Sequence, residues 1–491
     1  MSRDPLTARP RFSCDAEAPG EALPHFWEHT VGSGHAPLSL RADWQSQMIR
    51  AHEEAGFRHV RFHGILTGGM DTLVREGARR IYSFFNADRI VDFLLSIGMR
   101  PFVELSFMPD ALASGRKTVF HYAANVTPPR DRRGWSVLVE RLVSHWKKRY
   151  GRREVAQWFF EVWNEPNLDA FWTGSRLDYF RFYRQTAVTI KRVDRSFRVG
   201  GPATSQDAWI GEFVSWCRQH GAPLDFVTTH HYPTDGFGKP GDDTEIQLAR
   251  SRRSVLRDRA RETRRRAGGA PVYYTEWSSS SGPRDPRHDE PYAAAFAVKT
   301  MLEAAGLVEG YSWWTVSDLF AENYLPSRPF QGGFGLLTIH GVPKPVYRAF
   351  QILHEAGTER LPVAGSHPTV DAWAVRGRGS LTVILTNFAL PRRPIRRETA
   401  RVRVSTPAAP LSATVRRIDE RHANAYRAWK RMGSPEYPDA AEIERLESAS
   451  RLRPESLPWT PAGGAVDFAI DLPPQSVAAA HLRFPRGGGR P

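Results

Sequence analysis

Two short stretches of the 491-residue chain each place a glutamate at the end of a run typical of a buried β-strand. The first, Trp158–Asn167, is rich in aromatic and β-branched residues and reaches Glu165 directly before Pro166, which cannot donate to a strand ladder. The second, Pro271–Trp277, reaches Glu276 in the same way. A single strand-end glutamate could simply face solvent. Two of them facing one pocket are the groups that hydrolyse a glycosidic bond.

The two carboxyl groups need different surroundings for this chemistry. One must hold a proton near neutral pH for the leaving oxygen, while the other stays ionised to meet the positive anomeric carbon. Trp163 lies two residues before Glu165 and is expected to desolvate it, which favours the acid/base role. Glu276 is expected to be the nucleophile because nearby phenol hydroxyls favour its anion: Tyr232, Tyr273 and Tyr274.

Glu161 is the nearest rival for the acid role. In a regular strand Glu161, Trp163 and Glu165 would face the same side, so Glu161 would lie deeper in the protein. There it is expected to pair with an inward basic group such as Arg61 rather than to meet substrate.

The elements that must position these glutamates alternate regularly along residues 26–350. Eight strands alternate with helices, which predicts a (β/α)₈ barrel with its site at the carboxyl ends of the strands. Glu165 then ends the fourth strand and Glu276 the seventh. The long stretch 107–133 has no periodicity and is expected to be a functional loop. The expected strands are 26–35, 58–64, 100–106, 158–164, 198–201, 224–232, 271–276 and 310–315.

The remaining segments, before and after the predicted barrel, have a different sequence pattern. Residues 351–484 alternate over short runs separated by Gly and Pro, which predicts a β-sandwich, and a charged helical insert interrupts it near 423–451. The N-terminal segment 1–25 is expected to pack on the sandwich. The tail 485–491 is expected to be disordered.

Several motifs, in the expected order, resemble glycoside hydrolase family 39, which contains β-xylosidases and α-L-iduronidases. The likeness runs from about Leu23 to Leu482. It is carried by Phe160–Asn167, Val31–His35, Val60–Gly64, Gly333–Leu337 and His422–Asn424.

The resemblance implies a retaining mechanism, with the acid/base at Glu165 and the nucleophile at Glu276. It also implies that Asn164 contacts the sugar 2-hydroxyl, that His230 and Tyr232 line the glycone subsite, and that Tyr232 touches the nucleophile. His63 and Trp314 would complete the pocket. A purely structural role stays open for three of these residues, because strand-end residues of these types often satisfy or cap a core: His63, His230 and Trp314.

The leading hypothesis is therefore a retaining exo-glycosidase, a β-xylosidase that releases xylose from xylo-oligosaccharides. Glu322, in the loop after the eighth strand, is expected to bind the sugar as an anion and to repel a uronate, while Arg328 is the nearby candidate cation for a uronate. The alternatives are a glycosidase for α-L-iduronides or another pentoside, and a catalytically silent carbohydrate-binding barrel. An intact Glu165/Glu276 pair disfavours the silent barrel.

Net charge and cysteine content exclude few classes of function. The net charge is +15, and nine Arg lie within 250–266, yet no nucleic-acid motif accompanies them, so a solvated helix face is expected. Cys14 and Cys217 imply no disulfide framework. With no signal-peptide-like or membrane-spanning run, a cytoplasmic protein with no membrane partner is expected. No cofactor and no metal are expected, since His230 and His231 are adjacent on a strand and face opposite ways. A homo-oligomer stays open.

Overall fold

A closed barrel of eight parallel strands forms the larger part of the chain in the computed structural model, which describes residues 9–236, 243–322 and 324–485. The last strand closes onto the first where Trp313 pairs with Val31. The (β/α)₈ prediction is confirmed. The barrel strands are Thr30–His35, His59–His63, Arg100–Leu105, Phe159–Val162, Arg198–Ser205, Phe226–His230, Val272–Trp277 and Gly310–Trp313.

A helix follows each barrel strand and covers the sheet with its apolar face. The third barrel helix, for example, buries Leu138, Leu142 and Trp146 at helical spacing. Short helices Arg152–Val155 and Thr244–Arg250 lie between these elements. The eight main helices are Ala42–Ala55, Phe85–Ser96, Arg132–Tyr150, Arg176–Val193, Ile210–Gln219, Val255–Arg266, Pro291–Ala304 and Pro345–His354.

The barrel interior is layered. Near the amino ends of the strands, four packed rings fill it: Phe102, Phe159, Phe226 and Tyr273. Two residues further along their strands, Glu104 and Glu161 meet Arg61 in a fully buried ionic layer. Because inward side chains recur every second residue, the third and fourth strands supply side chains to both layers, while Arg61 comes from the second strand. The ionic layer supports the carboxyl-end face where Glu165 and Glu276 lie.

Some predicted elements differ from those observed. Residues Phe26–Glu28 form a 3-10 turn, so the first strand begins only at Thr30. The fourth strand ends at Val162 rather than at Asn164. The loop 107–133 contains a small ribbon, Thr118–Val119 paired with Ala124–Asn125. The sequence patterns did not predict the hairpin Leu73–Glu76 with Arg79–Tyr82 or the closing helix Pro345–His354.

Two sheets follow the barrel, one antiparallel and one mixed, and strands before the barrel join both. Arg11–Asp15 pairs in parallel with Glu398–Ser405, and Glu21–Ala22 pairs with Glu359–Leu361. One sheet contains Val363–Ala364, Arg11–Asp15, Glu398–Ser405, Ala465–Leu472 and Trp459–Pro461. The other contains Glu21–Ala22, Glu359–Leu361, Val370–Gly377, Ser380–Asn387, Ser476–Arg483, Ser412–Ile418 and Glu455–Ser456.

A pair of helices, Ala425–Arg431 and Ala440–Ser450, interrupts the second sheet between its Ser412–Ile418 and Glu455–Ser456 strands. Both helices begin at a side-chain cap, at Asn424 and at Asp439. Of the tail 485–491 that was expected to be disordered, residues 486–491 lie outside the described residues.

The Arg-rich segment forms two helices rather than one, separated at 251–254. The second helix buries Leu256 and Ala260 and presents most of its charge outward. Arg253 reaches Asp371 of the sandwich at 2.5 Å, and Arg264 reaches Glu309 at 2.6 Å. Much of this charge is therefore paired within the chain. Among the described residues, no helix is both long and apolar enough to cross a membrane.

Candidate active site

Glu165 lies on a turn, not on a strand. Backbone φ is positive at Trp163, 74°, and at Glu165, 41°, although neither is glycine. Such left-handed residues cost about 1–3 kcal/mol each and cluster at functional sites. The turn is held where the Glu165 amide donates to the Ala203 carbonyl at 2.8 Å. Since the strand ends at Val162, the alternation that was used to orient Glu165 does not extend to it.

The structure shows contacts of Trp163 with residues other than Glu165, so its expected contribution to desolvating Glu165 stays a prediction. Its ring packs edge-on against Phe107, Trp172 and Phe182, and its indole N–H donates to the Phe171 carbonyl at 2.8 Å. The reversed backbone at Trp163 directs this side chain into an aromatic cluster. Glu165 is desolvated by the site as a whole.

Burial raises the pKa of Glu165 to about 7, although a Ser205 hydrogen bond and the charges of His63 and Arg61 act in the opposite direction. The side-chain contact of Glu165 with His230 is close, with Oε1 and Nδ1 3.0 Å apart. Burial also lowers the pKa of His230 to about 4. This side of the site therefore suits a carboxyl group that holds its proton near neutral pH.

Glu276 has the opposite surroundings. Arg61 donates from Nη1 to Oε1 at 2.7 Å, and the Tyr232 hydroxyl donates to Oε2 at 3.0 Å. A guanidinium and a phenol both favour an ionised carboxylate. Of the three expected tyrosines only Tyr232 takes part. Tyr273 belongs to the aromatic layer, and Tyr274 donates outward to Thr263.

An irregularity in the seventh strand aims two consecutive side chains inward. The pairing with the sixth strand passes from Thr229–Tyr274 to His230–Glu276, so Thr275 is the extra residue of a bulge. As a result both Thr275 and Glu276 reach interior groups: Thr275 contacts Glu161 at 2.8 Å and Glu276 contacts Arg61. His231 faces outward as expected, 2.7 Å from Asp207.

The two carboxyl groups lie close together. One oxygen of Glu165, one of Glu276 and a nitrogen of His230 are all within 4.8 Å of one another. Oxygen and nitrogen atoms of His25, Glu28 and His354, far from this site, are similarly close. In that second group the Glu28 carboxylate bonds both imidazoles directly, at 2.6 and 2.9 Å.

The ionic layer beneath the site is organised by Arg61. Its Nε donates to Glu161 at 2.6 Å, which confirms the predicted pair, and its Nη2 lies 2.7 Å from Glu104. Nη2 also donates to the Asn164 carbonyl oxygen at 3.0 Å, which fixes the orientation of that amide. Every charge in this layer is paired, as burial requires.

His63 joins the ionic layer to the pocket. Its Nδ1 lies 2.7 Å from Glu104, and its Nε2 lies 3.5 Å from Glu276 and 3.6 Å from Glu322. Burial, the largest single influence, lowers the pKa of His63, but the carboxylates of Glu104 and Glu276 together outweigh it and the net shift is upward.

Glu322 lies in the pocket, and its surroundings disfavour the anion that was expected. Burial, together with the nearby charges of Glu276, Glu165 and Glu104, raises its pKa to about 8. A raised pKa favours the protonated carboxyl group, which can donate a hydrogen bond.

Aromatic rings form one wall of the pocket. Trp314 packs on His63 with ring centroids 4.7 Å apart and lies over Arg61. It clusters with three further rings: Tyr232, Phe320 and Phe334. Gly32 makes this packing possible, because a Cβ there would lie 2.5 Å from the indole. The glycine motif of the first strand is thereby explained.

Three contributors were missed or only partly identified from sequence. Glu104 was not singled out, although it shares the inward face of its strand with Phe102, and that alternation was a usable signal. Arg61 was named only as a partner of Glu161, whereas it also contacts Glu276. Thr275 carried no signal, because only the bulge turns it inward.

A (β/α)₈ barrel with two buried, differently solvated glutamates at its carboxyl-end face defines a glycosidase. Comparison with known proteins gives the family. The model for "Glycosyl hydrolases family 39" matches residues 11–466, and the chain belongs to that family.

Similar proteins cover nearly the whole chain. A β-xylosidase of Caldicellulosiruptor saccharolyticus is 46% identical over 93% of this chain and 95% of its own length. A β-xylosidase of Geobacillus stearothermophilus is 35% identical over 86% of each chain. The crystal structure of a monomeric β-xylosidase from Caulobacter crescentus CB15 superposes with a TM-score of 0.86 at 33% identity, covering 97% of this chain and all of the other.

Proposed function

We propose that this protein is a retaining exo-β-xylosidase that releases xylose from the ends of xylo-oligosaccharides. The observation that carries the proposal is the pair Glu165 and Glu276, with oxygens within 4.8 Å of each other. Retaining glycosidases hold their carboxyl groups about 5–5.5 Å apart, whereas inverting ones need about 6.5–9.5 Å for a water molecule.

The surroundings of the two glutamates assign their roles. In the first step Glu276 attacks the anomeric carbon while Glu165 gives its proton to the leaving oxygen, so that the glycosidic bond breaks and a glycosyl ester forms. Arg61 and Tyr232 keep Glu276 ionised and hold it in place for this attack. A pKa of about 7 lets Glu165 act as an acid near neutral pH.

In the second step the roles of Glu165 reverse. Its carboxylate takes a proton from an incoming water molecule, whose oxygen attacks the anomeric carbon and releases Glu276. The product keeps the β configuration because two inversions have occurred. In this mechanism Asn164 and Glu322 hydrogen-bond the sugar hydroxyls, and two observations support it: Arg61 fixes the Asn164 amide, and the raised pKa of Glu322 favours a protonated donor.

The choice of xylose rests on the pocket wall and on the relatives. A uronate needs a fixed cation for its carboxylate, and Arg328, the candidate, is exposed to solvent. The rings of Trp314, Phe320 and Phe334 suit a sugar without a substituent at carbon 5. The two relatives with 46% and 35% identity are β-xylosidases.

A panel of aryl glycosides tests the proposal. Aryl β-xylosides should be cleaved well and aryl α-L-iduronides at least about 100-fold more slowly, the scale of losing a charge-paired hydrogen bond. Efficient iduronide cleavage would overturn the sugar assignment. Binding of xylose without turnover of any glycoside would instead support a silent carbohydrate-binding barrel. Glu165→Gln provides the matched protein for measuring binding alone.

A further inference from the structure

A continuous chain of hydrogen bonds runs behind Glu165. It passes from the Glu161 carboxylate to the Thr275 hydroxyl at 2.8 Å, on to His230 Nε2 at 3.1 Å, and from His230 Nδ1 to Glu165 at 3.0 Å. All four side chains are buried. Because water does not compete with these contacts, each hydrogen position is decided by donor and acceptor capacity.

The contact between Arg61 and Glu161 fixes the donor-to-acceptor direction of this series of hydrogen bonds. Glu161 accepts from the guanidinium at 2.6 Å and is therefore an ionised acceptor. The single hydroxyl hydrogen of Thr275 must then point to Glu161. The Thr275 oxygen can only accept from His230, so Nε2 of the imidazole carries the N–H.

The other end of the imidazole follows. A neutral His230 with its hydrogen on Nε2 presents a lone pair at Nδ1. A carboxylate oxygen facing that lone pair at 3.0 Å would be repelled, whereas a carboxyl O–H would donate to it. The low pKa of His230, caused chiefly by burial, agrees with the neutral ring.

We propose that Thr275 is a positioning residue which locks the tautomer of His230 and thereby holds the proton of the acid/base on Glu165. This inference rests on the proposed function and assigns a role to a residue that does not touch the reacting atoms. In the resting enzyme the Glu165 hydroxyl donates to Nδ1. The glycosidic oxygen of a bound substrate competes for that same hydrogen.

The fixed tautomer of His230 contributes to both steps of the proposed reaction. Once Glu165 has given its proton to the leaving oxygen, the new carboxylate faces the Nδ1 lone pair with no hydrogen between them. This contact makes the carboxylate a stronger base, so it takes a proton from the incoming water more readily. His230 cannot relieve the repulsion by moving its hydrogen to Nδ1, because Thr275 requires the hydrogen on Nε2.

Other groups that act on Glu165 do not involve Thr275. Ser205 lies at the end of the fifth strand, Arg61 and His63 belong to the second, and Asp235 follows the sixth. Three further groups face the pocket: the Glu276 carboxylate, with Oε2 3.7 Å from His230 Nδ1, the Glu322 carboxyl group and the Tyr232 phenol. Replacing Thr275 leaves all of these in place, so a change in Glu165 titration reports the tautomer.

Thr275→Val keeps the shape of the side chain and removes the hydroxyl. His230 is then free to carry its hydrogen on Nδ1 and donate it to the Glu165 anion. The basic limb of kcat/KM on an aryl β-xyloside should move to lower pH by about one unit, the effect of one hydrogen bond on a charged form. At pH 7 kcat on xylobiose should fall about fivefold, because the protonated fraction of Glu165 falls from about one half to about one tenth, with KM nearly unchanged.

Two variants separate this role from simple packing. Thr275→Ser restores the hydroxyl and should restore the wild-type limb. Thr229→Val removes a buried hydroxyl that donates to the Thr204 carbonyl on the neighbouring strand and takes no part in the hydrogen bonds behind Glu165. This variant should leave the basic limb of the pH profile unchanged. An unshifted limb in Thr275→Val, a shift to higher pH, or a Thr275→Ser enzyme that behaves like Thr275→Val would each overturn the inference.

A direct titration distinguishes failure of this inference from failure of the proposed function. The ¹³C carboxyl resonance of Glu165, assigned by its absence in Glu165→Gln, should titrate about one unit lower in Thr275→Val than in the wild type. This measurement needs no substrate. An identical titration in the two proteins would overturn the tautomer lock even if xylosides are cleaved. Inactivity on every xyloside would instead overturn the function alone.

Discussion

The ends of the fourth and seventh strands carry the same side chain in opposite settings. Glu165 follows the fourth strand and is buried. Its close contact is with the neutral imidazole of His230. Glu276, on the seventh, receives a guanidinium and a phenol hydroxyl. The backbone differs as well: a left-handed turn presents Glu165, and a bulge presents Glu276.

The comparison shows that the different surroundings of Glu165 and Glu276, and not the side chains themselves, distinguish the two glutamates. Arg61, anchored by Glu104 and Glu161, reaches Glu276 with Nη1. The Thr275–His230 contact leads to Glu165 at 3.0 Å, while Glu276 lies farther from the same imidazole nitrogen, at 3.7 Å. In the proposed mechanism, one buried cation and one buried hydroxyl thus set two carboxyl groups of equal chemistry to different tasks.

The largest expected effect comes from the ionised side. Glu276→Ala should lower kcat on every glycoside by about 10⁴-fold or more, the scale seen when a covalent nucleophile is removed. Added azide should partly rescue it and give the product of inverted configuration. Glu262→Ala, on the exposed helix 255–266, is the control and should keep wild-type activity. Near-normal turnover by Glu276→Ala would remove Glu276 from the mechanism.

The protonated side should respond according to the leaving group. Glu165→Ala should lower kcat/KM on xylobiose by about 10²–10⁴-fold, the usual contribution of a general acid. Dinitrophenyl β-xyloside needs little protonation and should lose far less in its first step. Steady-state and burst kinetics on the two substrates measure the difference. Equal losses on both would contradict the acid role.

The pH profile should report the proton on Glu165. An acid acts only while protonated, and burial raises the pKa of Glu165 to about 7, so kcat/KM should be sustained below pH 7 and fall tenfold per unit above it. By pH 9 the loss should be about 100-fold. The same profile for Glu165→Ala on the dinitrophenyl substrate should lack this limb. Persistence of the limb in that variant would assign it to another group.

The smallest expected effect concerns one hydrogen bond to Glu276. Tyr232→Phe removes the 3.0 Å donor and keeps the ring packed against Trp314 and Phe334. Because Arg61 remains, kcat should fall only about tenfold, the scale of one hydrogen bond to a charged group. Tyr274→Phe, whose hydroxyl faces outward to Thr263, should change kcat little. A loss in Tyr232→Phe as large as that of Glu276→Ala would mean that Tyr232 has a further role.

The barrel was predictable because its signals are local and repeated. Each strand carries its own apolar run, so errors of two to four residues at the ends, as at Asn164 or Phe26, do not change the count. The site was predictable where it depended on motifs, such as Glu165 before Pro166. It was not predictable where the backbone departs from alternation.

Two differences from expectation trace to such departures. A positive φ at Trp163 accompanies the packing of its ring in an aromatic cluster, and the bulge at Thr275 brings inward a hydroxyl that no sequence pattern marked. The pKa of Glu322 depends on its burial and on three carboxyl groups that are near in space but distant in sequence, and no local pattern encodes these. Burial and long-range proximity are properties of the closed barrel.

The central claim is that Glu165 and Glu276 work by double displacement, and the configuration of the first-formed sugar tests it most directly. Proton NMR of an aryl β-xyloside digest, recorded within the first minutes before mutarotation, resolves the anomeric signals. The account predicts that β-xylose appears first and that α-xylose grows in only as the anomers equilibrate. Initial release of α-xylose would contradict the account, because it would mean a single displacement by water.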